Sequence, residues 1–138
     1  MWWIYALLSA GFAALTAIFA KIGVTDIPSN LATAIRTVVI LVVAWGIVLA
    51  RGEYKGWTGI SRHGLTFLVL SGLATGLSWI FYFKAIQVGK VSQVAPVDKL
   101  SVALTIILAA VFLHEAITWK TAIGALLIIS GALVLILK

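Results

Sequence analysis

Five ionisable residues stand where the sequence is otherwise oily: Lys21, Arg36, Lys84, Asp98 and Lys99. Their surroundings read "LATAIRTVVIL", "WIFYFKAIQ" and "APVDKLSVALTIILAAVFL". An ionisable side chain in hydrocarbon costs on the order of a few kcal/mol or more, so such groups pair with one another or line an aqueous path. Asp98 is the only acid of the five, and Arg36, Lys84 and Lys99 compete for it. The set therefore keeps an excess of positive charge. That excess suits binding of an anionic or zwitterionic solute, with Asp98 holding the basic cluster in place or exchanging a proton. Trp79 and Tyr82 lie one turn or so before Lys84 and would line the same cavity.

Other chemistries find little support. The chain has no cysteine, which excludes disulfides, thiol redox chemistry and Cys-based zinc sites. It has no HExxH, Walker or GxSxG motif and no cluster of metal-ligating side chains. No cofactor, metal or catalytic residue is expected. His114 and Glu115 fall in a connection and suit a structural role, and His63 suits a solvated one. Without an ATPase motif, active transport would run on an ion gradient or on exchange.

These residues must be held by membrane helices. Of 138 residues, 63% are hydrophobic and 10% charged, against about half and about a quarter in soluble domains. A span needs about 20 mostly apolar residues. Five such runs are predicted, at 2–20, 30–50, 65–87, 91–113 and 120–137. The opening "MWWIYALLSA" lacks a basic n-region and reads as a retained first span. Ser29 or Asn30 is placed to cap the second helix, Gly89 to end the third, and Thr118 to cap the last. Trp2, Trp3, Tyr5, Trp57 and Trp119 lie near span ends, as an interfacial aromatic belt requires. "RGEYKGWTGISRHG" is the one long polar connection. The expectation is a single all-α membrane domain over residues 1–138.

Helical spacing sorts the small and polar residues of the spans into stripes. The first span carries Tyr5, Ser9, Phe12 and Thr16 on one face. The third carries Ser71, Thr75, Ser78, Trp79 and Tyr82; the fourth carries Asp98, Ser101, Thr105 and Ala109. Three such stripes suit a shared polar cavity. Gly72 and Gly76 form a GxxxG pair, and Gly124 and Gly131 form a seam in "GALLIISGAL" suited to packing against a second copy. The place of Asp98 and Lys99 depends on where their helix begins. From Val91 they stand inside the span; from Pro96 they are a helix start at the membrane surface.

The residues are familiar in combination. "YFKAIQVGKVSQVAPVDKLSVALTIILAAVFLHEAITWKTAIGALLIISGALVLI" resembles the second part of an EamA domain of the drug/metabolite transporter superfamily. "FAALTAIFAKIGV" and Arg36 in "LATAIRTVVIL" fit the first part, so the resemblance covers essentially the whole chain. The glycine seam is also similar to the dimerisation helix of small multidrug resistance proteins. Most EamA transporters have ten spans in two inverted five-span repeats, and this chain resembles one repeat. The resemblance thus implies an antiparallel homodimer, a ten-helix inverted-repeat bundle in a prokaryotic plasma membrane that moves a small polar metabolite by alternating access. Small multidrug resistance proteins use an acid in the first span, and this first span has none, so their cationic-drug mechanism does not carry over. A lipid-headgroup flippase or a non-transporting assembly subunit stands as the alternative. Small solute, lipid and a second copy are the partners expected; nucleic acid is not.

The net charge is +6, but its distribution gives no orientation. With five spans, Arg51, Lys55, Arg62 and Lys120 fall on the side of the N-terminus, and Lys21, Lys84, Lys90 and Lys138 on the other, four against four. The positive-inside rule is then silent, which suits copies inserted both ways. Dual insertion predicts signal on both sides of the membrane from reporters fused to the C-terminus; signal from one side only excludes it.

Overall fold

The computed structural model describes residues 1–136. Leu137, at the end of the expected fifth span, and Lys138, counted above, lie outside the described residues. The elements are α1 (Trp2–Gly23), α2 (Ser29–Ala50), a 3₁₀ helix η1 (Glu53–Gly59), α3 (Arg62–Val88), α4 (Val91–Asp98), α5 (Leu100–Phe112) and α6 (Trp119–Ile136). No strand occurs among the described residues. Among the described residues five helical segments are long and apolar enough to cross a membrane, α4 and α5 together forming the fourth. Such helices satisfy their own backbone in lipid, which no open strand can do.

The ends of the helices follow local chemistry. Ser61 caps α3 by accepting the Gly64 N–H at 3.0 Å, so that helix starts three residues before the apolar run. Thr118 caps α6 by accepting the Thr121 N–H at 3.2 Å. The expected cap at Ser29 or Asn30 is not formed. Both residues are already helical and Pro28 stands at the cap position without a side-chain bond. The Pro28 carbonyl accepts the Ala32 N–H at 3.0 Å and opens the helix there, one place before the expected cap. After α2, Gly52 takes a left-handed φ of 69°, a conformation open to glycine at little cost. At the end of α5, His114 is left-handed and the Glu115 N–H reaches back to the Ala109 carbonyl at 3.3 Å. That carbonyl also accepts the Leu113 N–H at 2.9 Å, so the two bonds close the helix end together, a structural role for the His114–Glu115 pair.

The chain divides into two compact units, Met1–Phe19 with Val88–Lys138, and Ala20–Gln87. In the first, α4 and α5 both pack along α6, and the buried residues are Ala17, Ala103 and Ala132. Small side chains let helix backbones approach closely, which is how spans pack when lipid is as apolar as leucine. In the second, Ala20, Val24, Phe83 and Ile86 are buried together with the polar Ser29 and Thr33. The rest of each span is open: residues 38–43, all Val, Ile or Leu, are each between 38% and 66% exposed. In water that surface would be a liability; in a bilayer it is the lipid face.

Burial therefore separates packing residues from lipid-facing ones. Ile86→Ala is expected to lower stability by about 2 kcal/mol, the low end for such a truncation because only packing is lost. Leu68→Ala, at a position 63% exposed, is expected to change it by less than about 0.5 kcal/mol. Unfolding in mixed SDS micelles reads both.

Candidate functional site

Arg36 is seven residues past Ser29, roughly 10 Å along α2 at about 1.5 Å per residue. Trp79 and Phe83, four apart on α3, share one face of that helix. The Arg36 guanidinium carbon lies 4.6 Å from the Trp79 ring centroid and 4.9 Å from that of Phe83. Phe83 is buried and Trp79 half-buried. A planar, weakly hydrated guanidinium tolerates such a seat better than an ammonium does. Arg36 is itself half-buried, and a cation–π contact contributes about 0.5–2 kcal/mol, rising as water is excluded. A guanidinium met by rings keeps N–H donors of the kind that bind a carboxylate or phosphate in pairs. The ion pairs among the described residues are Arg51–Glu53 and Lys99–Asp98, and Arg36 is in neither.

The same unit closes around the end of α3. Lys21 donates from Nζ to the Ile86 carbonyl at 2.7 Å. Gln87 donates from Nε2 to the carbonyls of Ile27 at 3.0 Å and Val24 at 3.3 Å. The last carbonyls of a helix lack internal partners and carry partial negative charge, so an ammonium there is favourable. These bonds tie the α1–α2 connection to α3 within two turns of Phe83. Tyr82 sets its ring edge-on to Phe83, centroids 6.4 Å apart. Lys84 is on the same helix and exposed.

Asp98 and Lys99 belong to the other unit. Their helix begins at Val91, the earlier of the two expected starts, with Pro96 inside it. Proline removes the bond to the carbonyl four residues back and crowds it, and the helix stops at Asp98. Lys99 then bridges into α5 by two three-residue closures, Lys99 N–H to Pro96 O at 3.1 Å and Val102 N–H to Lys99 O at 3.0 Å. The Lys99 ammonium lies 3.2 Å from the Asp98 carboxylate, the side chains 56% and 34% exposed. A pair so placed contributes about 0–1 kcal/mol, so it balances charge more than it stabilises. In the stripes, the Thr75 and Thr105 hydroxyls donate to the Ser71 and Ser101 carbonyls. Ser9 is exposed and Thr16 half-buried on α1. A Cβ added at Gly124 or Gly131 would meet nothing within 4 Å, so that seam is open.

Residues 1–137 match the family described as the EamA-like transporter family. The chain belongs to that family. It is 49% identical over 134 residues to a Sinorhizobium protein named "Uncharacterized transporter in cobO 3'region", covering 97% of this chain and 95% of the relative. It is also 30% identical over 83 residues to an uncharacterized protein of Methanocaldococcus jannaschii, covering 60% of this chain and 61% of that one. No solved structure matches.

In this EamA-family chain, the charged residues of the sequence do not act alone. Phe83 and Gln87 were not singled out by the sequence. Phe83 is signalled by its place one turn after Trp79, and Gln87 by being the last polar residue before the terminating Gly89. Gln87→Glu replaces a donor by a group that only accepts. Amide exchange at residues 24–27, read by mass spectrometry, is expected to rise about tenfold as the connection loosens.

Proposed function

We propose that this integral membrane protein is a secondary transporter or exchanger of a small anionic or zwitterionic metabolite. The observation that carries the reading is the seat of Arg36: a guanidinium inside an apolar span, set over the rings of Trp79 and Phe83 and in no ion pair among the described residues. Tyr82 and Lys84, on the same helix, are the next candidates to touch that solute. Asp98 and Lys99 are proposed as a second charged element, and Ser9 and Thr16 as polar lining. No enzymatic step is assigned to any of them.

We further propose one membrane domain over residues 1–138 that works by alternating access as an antiparallel homodimer, in a prokaryotic plasma membrane. Support comes from the odd number of spans, the balanced basic residues and the open Gly124–Gly131 seam. The bacterial relative named as a transporter has nearly the same length, and both relatives come from prokaryotes. An odd-spanned unit reproduces an inverted repeat when two copies pair in opposite senses.

Uptake or exchange of labelled anionic solutes into proteoliposomes tests the site. Arg36→Ala is expected to lower it by about 10- to 100-fold, the loss of charge-assisted bonds. Arg36→Lys, which keeps charge but not the fork, falls between. Uptake unchanged by Arg36→Ala overturns the assignment. Movement of lipid headgroups without uptake of soluble anions points to a flippase.

A further inference from the structure

We propose that the connection between α2 and α3 binds a phospholipid with an anionic headgroup, at a site separate from that of the transported solute. A pocket of 510 Å³ is lined there by Trp45 and Val48 of α2 and by Tyr54, Trp57, Ile60 and Glu53 of the segment that follows. Its size is that of an ordinary small-molecule site, about 300–1,000 Å³. The left-handed turn at Gly52 sends η1 back toward the end of α2, and Trp57 comes within 6.3 Å of Trp45, centroid to centroid, tilted by 37°. Trp57 is 62% and Tyr54 50% exposed. The pocket thus sits at the end of a span, where indole and phenol rings meet lipid glycerol and headgroups.

Charge selects the headgroup. Residues 51–62 hold Arg51, Lys55 and Arg62 against Glu53, three basic and one acidic, a net +2. Glu53 is the one charged residue of the lining, and Arg51 masks it at 3.0 Å. That pair is exposed on both sides, 71% and 52%, so little is lost when Arg51 changes partner. A phosphate offers it a bidentate one. Lys55 stands between Tyr54 and Gly56, two residues of the lining. Apolar walls contribute nothing to a free phosphate ion. They do contribute to a phosphate that carries acyl chains, and basic residues beside a span draw such lipids from an anionic leaflet.

Native mass spectrometry of the full chain in detergent, titrated with phosphatidylglycerol or phosphatidylcholine, tests this. Phosphatidylglycerol is expected to be retained at least about fivefold better, roughly the effect of one basic residue at an anionic surface. Arg51→Gln with Lys55→Gln removes the preference, and Trp57→Ala lowers retention of both lipids. Glu53→Gln frees Arg51 and raises phosphatidylglycerol retention, an increase that a misfolded variant does not give. Equal retention of the two lipids, a loss with Glu53→Gln, or displacement by excess inorganic phosphate each overturns the proposal.

Discussion

A hydrocarbon layer offers no hydrogen-bond partner, and the rest of the architecture follows from that constraint. Peptide groups must be satisfied within their own helix, and the spans are accordingly helical. The hydroxyls obey the same rule. Thr33, Thr37, Thr66, Thr75 and Thr105 each donate to the carbonyl four residues back. Side-chain polarity is absorbed where it arises, and the few polar groups that reach another helix stand out. Lys21 and Gln87 are of that kind, spending their donors on carbonyls at the ends of other segments.

Arg36 is the exception that suggests a function. Its charge is met by two rings, an interaction that lowers the cost of burial without using up its N–H donors. A carboxylate in that place would have satisfied the cation and closed it to ligands. The chain belongs to the EamA-like transporter family, and the role proposed for this cation is to hold an acid group of a transported solute. Gln87, one turn beyond Phe83, ties the α1–α2 connection to α3. The polarity of the site is thus organised by α3, which supplies both the aromatic seat and the polar tie.

The five helices were legible because long apolar runs broken by Lys, Gly and Pro have one reading in so oily a chain. Thr118 and Gly89 marked their boundaries correctly, since capping and termination are local chemistry. Ser29 misled: the helix opens on the Pro28 carbonyl, which puts Ser29 one place inside it and out of the cap position. The 3₁₀ helix at Glu53–Gly59 was hidden in a polar stretch too short to show a period. Which charge meets which partner was less legible still. Spans that are apolar on most faces carry a weak periodic signal, so the sequence listed the charges without their nearest partners. Those partners are Lys99 for Asp98 and aromatic rings for Arg36.

The interruption at Lys99 has a mechanical side. Both arms of the fourth span lie along α6, yet only short closures join them. Kinks fall where the helical ladder is interrupted, at proline above all, so this joint sets the direction in which α5 leaves α4. The 13-residue arm is about 20 Å long, so each difference of about 10° in that direction displaces its far end by about 3.4 Å. A single peptide link thus decides where the far half of the span comes to lie.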